Sequence, residues 1–250
     1  MKQLLIALGC ILAMMTSLVQ AQDRPLRIAF DVPYEPFEYK TPDGELTGFE
    51  VELAEAMCEE MARECDFVVQ AWDGIIPGLL ARKYDAIMSS MSITEDRAKR
   101  VLFSDPYYRT PGAWFGKKDT NVDVTDKSAM KGQVVGVQRG TTMDKYVTEN
   151  MNSMVDVKRY TTADDMALDL ESDRLDLVFV DYPVGEEYFL SQDGYKEIGE
   201  PVKLGKGVAV AMRKRDKELA ENINAALKTL KNDGTYDAIM QRYFDYSIKM

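Results

Sequence analysis

The sequence predicts a two-lobed α/β protein, and three observations lead to this fold class. Short apolar runs alternate with amphipathic segments, as in sheets covered by helices. Residues 82–89 (RKYDAIMS) and 173–181 (DRLDLVFVD) repeat one order: a helix end, a basic residue, an aspartate, an apolar strand and a polar tip. The tail after residue 206 is too short to bury a core of its own. Two lobes of similar build, with the tail returning to the first, account for all three observations.

The first half of the chain alternates strands and helices in the manner of a parallel sheet. The loop after the first strand contains Pro33 and Pro36, which cannot continue a strand ladder. Residues 50–61 carry an apolar stripe at helical spacing, and a Pro-Asp-Gly turn precedes them. In chain order, the predicted elements are a strand at 26–30, a helix at 50–61, a strand at 67–69, a helix at 75–80, a strand at 86–88 and an extended stretch at 103–108.

The second half repeats the alternation. A Gly-Thr-Thr turn at 140–142 separates a Val-rich strand from a helix that opens beneath the two threonines. The predicted elements are an extended stretch at 113–116, strands at 133–137, 177–181 and 208–212, and helices at 143–150, 163–173, 218–231 and 235–243. We therefore place lobe 1 at residues 22–111 and 206–250 and lobe 2 at 112–205. The chain then crosses twice between the lobes, which is a hinge geometry.

Residues 1–21 are predicted to be a cleaved secretory signal. They contain a lone Lys2, an apolar run over residues 4–18 and a cleavage site that ends in the small residue Ala21. No other stretch is long and apolar enough to cross a bilayer. The mature chain is therefore expected to be soluble and exported to the periplasm.

Charge and composition exclude several classes of function. The formal net charge is −11, so nucleic acid and anionic lipid are poor partners. The chain has no histidine, which excludes Ser-His-Asp and Cys-His nucleophilic sites and removes the commonest metal ligand. No glycine-rich phosphate loop follows a predicted strand. We expect a monomer that is not an enzyme and that needs no cofactor, metal or nucleic acid.

Cys58 and Cys65 are expected to form a disulfide, because they are the two cysteines left in an exported chain once the signal is removed. One continuous helix would separate them by about 10.5 Å. A disulfide spans at most about 7 Å between Cα atoms. The helix that begins near residue 50 must therefore end between the two cysteines, and the bridge would join it to the next strand.

Residues 85–97 (DAIMSSMSITEDR) predict a binding site for a carboxylate. A short buried strand ends in a cluster of hydroxyl groups, and Thr94 then caps a helix with an acidic first turn. Arg97 lies where its guanidinium can turn back over the strand end, and its planar fork suits a carboxylate. The hydroxyl groups belong to Ser89, Ser90 and Ser92. Alternation along a strand would turn Ser89 away from the side that Ser90 faces.

A serine-rich strand end near an arginine is common in α/β domains, so this block alone leaves a purely structural role open. The repeat at residues 173–181 favours a functional role. Its strand ends in the carboxylate of Asp181, whereas the first ends in hydroxyl groups near an arginine. A zwitterion needs one group of each sign, which the two lobes would supply.

The chain resembles the periplasmic solute-binding proteins of polar amino-acid ABC importers, and most closely their lysine/arginine/ornithine-binding and histidine-binding branch. The resemblance extends over residues 26–246 and includes the spacing of the two cysteines. It is carried by Pro36-Phe37 with Gly44 and by the blocks at 48–54 (GFEVELA), 72–79 (WDGIIPGL), 89–97 (SSMSITEDR), 103–108 (FSDPYY) and 232–236 (NDGTY). The family implies a type II periplasmic-binding-protein fold, in which two α/β lobes close over the ligand.

The resemblance also implies a role for each site residue. Arg97 would hold the ligand's α-carboxylate with help from the region of Ser92 and from the turn at Thr141 and Thr142, where a helix N-terminus supplies N–H groups. The α-ammonium would bind Asp181 with Ser90 and Ser92. The ligand side chain would lie between two aromatic rings, with an acid at its far end. These residues are Tyr34, Trp72 and Asp31.

Two positions depart from the family pattern. Gln138 and Arg139 stand just before the glycine turn, where close relatives carry an apolar and an uncharged residue. An arginine inside the cleft would repel a cationic ligand, so we place Arg139 on the rim. Trp72 is bulkier than the phenylalanine of relatives, which favours a flat or long ligand side chain over imidazole.

The predicted function is capture of arginine, lysine or ornithine and delivery to a membrane ABC permease. Histidine, glutamine or an opine is the alternative ligand within the same class. The same fold resembles that of a cyclohexadienyl dehydratase, an enzyme that needs a general acid. Asp181 is available, but Val184 provides no second acid one turn further on. A sensor domain is the third possibility.

Overall fold

The computed structural model describes residues 24–250, and the signal predicted at 1–21 lies outside this range. Within it, the strands form two five-stranded sheets and one two-stranded hairpin. The strands are β1 Leu26–Phe30, β2 Tyr39–Lys40, β3 Leu46–Thr47, β4 Cys65–Val69, β5 Ala86–Ile87, β6 Leu102–Phe103, β7 Gly112–Lys117, β8 Val134–Gln138, β9 Asp156–Tyr160, β10 Leu177–Asp181, β11 Tyr195–Val202 and β12 Ala211–Met212.

The helices follow the strands in the alternation that the sequence predicts. They are α1 Phe49–Glu60, α2 Trp72–Leu80, α3 Glu95–Arg100, α4 Thr142–Met151, α5 Ala163–Glu171, α6 Tyr182–Gly185, α7 Lys217–Asp233 and α8 Thr235–Met240. A π-helical turn, Glu186–Leu190, continues α6. None of the helices within residues 24–250 combines the length and the apolar character of a membrane span.

Each sheet belongs to one lobe. The first has the order β4-β1-β5-β12-β6 and the second the order β11-β7-β10-β8-β9. In both, three parallel strands form one side of the sheet and antiparallel strands extend the other, and β12 pairs antiparallel with both β5 and β6. The chain thus leaves the first sheet after β6, builds the second, and returns through β12. The two-lobed α/β fold is confirmed, while the boundaries at residues 112 and 206 stay a prediction.

The main differences from the predicted elements lie at the edges of the sheets. Strands β9 and β11 were not expected, and each pairs with a single neighbour, β8 and β7 respectively. Both are rich in charged residues, as edge strands are, and so lack the apolar pattern that indicates a buried strand. The predicted strand at 208–212 is shorter, because Val208 forms only isolated bridges, to Ser92 and Tyr108.

The internal repeat appears as the same local structure in both lobes. Asp85 precedes β5, and its carboxylate accepts a hydrogen bond from the backbone N–H of Arg27 in the neighbouring strand (3.3 Å). Asp176 precedes β10 and accepts from the backbone N–H of Val134 (2.7 Å). In each lobe an aspartate therefore joins the start of one parallel strand to the start of the next.

The predicted disulfide joins Cys58 of α1 to Cys65, the first residue of β4, with 6.3 Å between the Cα atoms. Helix α1 ends at Glu60, between the two cysteines, as the distance argument requires. The bridge therefore fixes the C-terminal end of α1 to the start of the edge strand.

Candidate functional site

A cavity lies where the carboxyl ends of strands from both sheets meet. All of the predicted ligand-binding residues line it. They are Asp31, Tyr34, Trp72, Ser89, Ser90, Ser92, Arg97, Thr141, Thr142 and Asp181. Glu38, Gln138 and Met143 also line it, and none of these had been assigned a role from the sequence. The structure thus brings the candidate residues together, and their roles toward a ligand stay a prediction.

The side chain of Arg97 spans the cleft. Its Nη1 donates to the backbone carbonyl of Ser92 at 2.9 Å, and its Nη2 donates to that of Gly140 in the other lobe at 3.3 Å. The guanidinium carbon lies 5.0 Å from the centroid of the Trp72 ring. Burial lowers the pKa of Arg97 to about 10, against the opposing effect of Asp181, so the group stays cationic at neutral pH.

Asp181 ends β10 and receives hydrogen bonds on both carboxylate oxygens. The hydroxyl of Tyr34, from the other lobe, donates to Oδ2 at 2.7 Å, and that of Thr110 donates to Oδ1 at 2.9 Å. Burial raises the pKa of Asp181 to about 6, although both hydrogen bonds and Arg97 act in the opposite direction. Thr110 lies on the segment that crosses between the lobes, and no sequence pattern marked it.

Asp31 follows β1 and lies at the N-terminus of α2. Its Oδ1 accepts from the backbone N–H of Trp72 at 3.0 Å, and its Oδ2 accepts from Nε2 of Gln138 at 2.7 Å. The positive end of the helix dipole favours a carboxylate at this position. Burial nevertheless raises the pKa of Asp31 to about 6.

A second pair of carboxyl groups lies at the wall of the cavity. Glu38 Oε1 accepts from the hydroxyl of Ser89 at 2.7 Å, and Glu50 accepts from the backbone N–H of Ser90 and from the hydroxyl of Tyr107. Burial raises the pKa of both acids. The pKa of Glu38 lies well above its ordinary value, because the group is buried and because Glu50 lies beside it. Burial and the neighbouring Glu50 thus both favour the neutral form of Glu38.

Ser89 and Ser90 both line the cavity, contrary to the alternation expected of a strand. The reason is that β5 ends at Ile87 and Ser90 adopts a left-handed backbone conformation with φ of 47°. A residue other than glycine in this region is strained, and such strain is concentrated at functional sites. The hydroxyl of Ser90 accepts from Tyr108 at 2.8 Å.

Ion pairs between the lobes lie at the rim. Arg139 pairs with Asp73 at 3.1 Å, and both side chains are about half exposed. Lys145 of α4 pairs with Asp96 of α3 at 2.6 Å. Arg139 thus lies on the rim, where the sequence argument had placed it.

The turn before α4 closes against the first lobe. Thr141 caps α4 by accepting from the backbone N–H of Asp144 at 3.1 Å, and the adjacent Gly140 has a φ of 73°. A Cβ atom at Gly140 would lie 3.7 Å from Nε1 of Trp72. This approach brings the N-terminus of α4 to the cavity that Arg97 and Trp72 line.

Known proteins with similar sequences bind amino acids. The chain is 39% identical to the L-arginine-binding protein of Pseudomonas aeruginosa, over 99% of this chain and 98% of that one. It is 36% identical to the lysine/arginine/ornithine-binding periplasmic protein of Escherichia coli, over 99% of each chain.

Solved structures of similar fold include binding proteins and a forerunner of an enzyme. An ancestral arginine-binding protein bound to arginine matches with a TM-score of 0.84 and 34% identity, covering 89% of this chain and 99% of that one. An ancestral amino acid-binding protein, a precursor of cyclohexadienyl dehydratase, matches with a TM-score of 0.81 and 32% identity, covering 88% and 95%.

The family match extends over almost all of the described structure. Residues 26–246 match the bacterial extracellular solute-binding proteins, family 3, a range that contains both sheets and every residue of the cavity. By this match, and by the identity to full-length relatives, the chain belongs to that family.

Proposed function

We propose that this chain binds a cationic L-amino acid, namely arginine, lysine or ornithine, in the periplasm and delivers it to the permease of an ABC importer. The observation that carries the proposal is the balance of charge in the cavity. The lining holds two carboxylates that can ionise near neutral pH, Asp31 and Asp181, against the single cation Arg97.

The cavity charge favours a ligand with a net charge of +1. Without counting Glu38, whose neutral form burial favours, the lining carries two carboxylates against one guanidinium, which is one negative charge in excess. A cationic amino acid neutralises this charge. A neutral amino acid would leave one carboxylate buried without a cationic partner, which is costly in a low-dielectric site.

We propose the roles that the family resemblance implies, and the shared position of these residues in the cavity lining supports them. Arg97 holds the α-carboxylate, with hydroxyl and N–H groups at Ser92, Thr141 and Thr142. Asp181 binds the α-ammonium with Ser90 and Ser92. The side chain extends between Tyr34 and Trp72 toward Asp31. Closure of the lobes about the two crossings would then seal the ligand from water.

Relatives support both the ligand class and the cellular role. Full-length relatives include an L-arginine-binding protein and a lysine/arginine/ornithine-binding periplasmic protein. Release from a solute-binding protein to a membrane permease follows from membership of the family.

We propose further that the chain is not an enzyme. A general acid must deliver its proton to the substrate, and both oxygens of Asp181 already accept hydrogen bonds from Tyr34 and Thr110. The resemblance to a dehydratase precursor makes a direct assay necessary. We expect no turnover of prephenate or arogenate by the purified protein above the uncatalysed rate, and any such turnover would contradict this assignment.

The binding proposal is tested by thermal shift and isothermal titration calorimetry with the twenty amino acids and ornithine. We expect stabilisation by cationic amino acids alone.

Arg97→Ala should weaken the affinity for every ligand by roughly 100-fold or more, because it leaves the ligand carboxylate buried without its partner. Asp31→Ala should weaken cationic ligands selectively. Equal losses for all ligands in both variants, or no stabilisation of the unmodified protein by any cationic amino acid, would contradict the proposal.

A further inference from the structure

The side chain of Gln138 closes the far end of the cavity, and its hydrogen bonds fix which way its amide faces. Nε2 donates to Asp31 Oδ2 at 2.7 Å and to the backbone carbonyl of Thr161 at 3.0 Å. A carbonyl is always an acceptor, and an ionised carboxylate is one too. The amide must therefore direct its NH₂ group at these two atoms, and both of its hydrogens are engaged.

The same arrangement leaves the carbonyl oxygen of the Gln138 amide available. No residue within 24–250 donates a hydrogen bond to Oε1. Among residues 24–250, Oε1 is not one of the fully buried side-chain polar atoms that lack a hydrogen-bond partner. Gln138 is only 5% exposed, and it lines the ligand cavity. Oε1 therefore has no donor among the described residues, it belongs to a residue that lines the cavity, and the two bonds of Nε2 fix the position of its amide group.

The far end of the cavity thus presents several acceptors and few free donors. Asp31 and Gln138 come from opposite lobes, and their contact places a carboxylate beside a neutral amide oxygen. A guanidinium is planar and carries five N–H donors in a fixed fork, so it can bond to two neighbouring acceptors at once. An alkylammonium is a compact, strongly hydrated charge with three rotatable donors, so it lacks the planar fork that matches a fixed pair of acceptors.

We propose that Gln138 is a specificity-determining residue that makes this site prefer a guanidinium to an alkylammonium, and therefore arginine to lysine and ornithine. The inference rests on the proposed function and narrows its ligand class. Gln138 acts directly, through Oε1, and indirectly, because its Nε2 orients the Asp31 carboxylate from the other lobe.

The test is isothermal titration calorimetry with arginine, lysine and ornithine on the unmodified protein, on Gln138→Met and on a control, Gln133→Met. Methionine keeps the length of the side chain and removes both polar atoms. Gln133 lies just before the opposite end of the same strand, outside the cavity. We expect the unmodified protein to bind arginine roughly tenfold or more tightly than lysine, the effect of one hydrogen bond to a charged group. Gln138→Met should reduce this ratio to about threefold or less, and Gln133→Met should leave it unchanged.

The possible results separate this inference from the function on which it rests. An unmodified protein that binds arginine and lysine equally, or a Gln138→Met protein with an unaltered ratio, overturns the role of Gln138 and leaves cationic amino-acid binding intact. An unmodified protein that binds no cationic amino acid overturns both. The ratio in the unmodified protein tests the preference even if Gln138→Met fails to fold.

Discussion

Two buried carboxyl groups that line the ligand cavity, Asp31 and Asp181, share one electrostatic property. Burial raises the pKa of each to about 6, although each accepts two hydrogen bonds. The surroundings of each carboxylate do not contain enough positive charge to offset its burial, and a bound ammonium or guanidinium would add that charge. Their raised pKa values therefore indicate that the cavity is built to receive cations.

The affinity for arginine should rise with pH between about 5 and 7. Ligand binding needs both carboxylates ionised, and a group with a pKa of about 6 is only about one-tenth ionised at pH 5. We expect the dissociation constant to fall by up to roughly tenfold for each carboxylate over this range.

The two raised pKa values have the opposite effect on the folding stability of the ligand-free protein, which they increase at low pH. Their contribution to stability is largest below pH 3.8 and is lost as the pH rises through 6.

Calorimetric titrations with arginine at several pH values, on the unmodified protein and on Asp31→Asn, measure this effect. The variant lacks one of the two titrating groups, so its pH dependence should be about half as steep on a logarithmic scale. An affinity that is constant or falls between pH 5 and 7 would show that the two carboxyl groups are already ionised at pH 5.

Residue identities alone predicted much of the site but not all of it. Arg97, the three serines and Asp181 were found because they follow apolar strands, and the carboxyl ends of strands mark the site. The same rule applies to Gln138, which ends β8, yet its role depends on a contact with Asp31 that only lobe closure creates. Glu38 could not be assigned, because its raised pKa depends on burial and on its contact with Glu50, neither of which the sequence shows.

At the scale of secondary structure, the repeated aspartate has a structural role. Asp85 accepts hydrogen bonds from Arg24 and Arg213 at 2.6 and 2.8 Å, in addition to its bond to the neighbouring strand, and its side chain is 4% exposed. Three arginines in all lower the pKa of Asp85 below its ordinary value. Asp176 makes the equivalent strand contact without an ion pair among the described residues.

Asp85→Ala should destabilise the protein by up to about 3–5 kcal/mol, because it removes one of the two carboxylates that pair with the buried Arg213, the other being Asp216 at 2.7 Å. Asp176→Ala, the matched change in the other lobe, should cost about 1 kcal/mol, the value of one hydrogen bond. Urea denaturation measures both values. Neither residue lines the cavity, so the affinity of the folded variants for arginine should be unchanged. Similar losses of stability in both variants would show that the ion pairs contribute little.

The helices and central strands were predicted well because each buries an apolar face whose period is visible in the sequence. Helix α1 was expected at 50–61 and spans Phe49–Glu60. The edge strands β9 and β11 were missed because their alternate residues are charged and the pairing partner decides their conformation.

At the scale of the whole molecule, contacts across the cleft form two layers. The inner layer consists of hydrogen bonds at the cavity, such as Tyr34 to Asp181 and Gln138 to Asp31. The outer layer consists of ion pairs at the rim, Arg139 with Asp73 and Lys145 with Asp96. The internal repeat predicted two lobes, but these contacts depend on the hinge angle, which no local pattern encodes. Because the rim pairs join opposite lobes, they stabilise the closed state alone.

Removing the rim pairs should accelerate ligand release. In the double variant Arg139→Met with Lys145→Met, we expect the dissociation rate of arginine to rise about two- to thirtyfold, because exposed ion pairs contribute about 0.2–1 kcal/mol each. The association rate should change little, because the open state lacks both pairs. Stopped-flow measurements of tryptophan fluorescence can follow both rates, since Trp72 lines the cavity. Lys118→Met is the control, because Lys118 pairs with Asp193 within one lobe. An unchanged dissociation rate in the double variant, or an equal increase in the control, would show that the rim pairs do not hold the cleft closed.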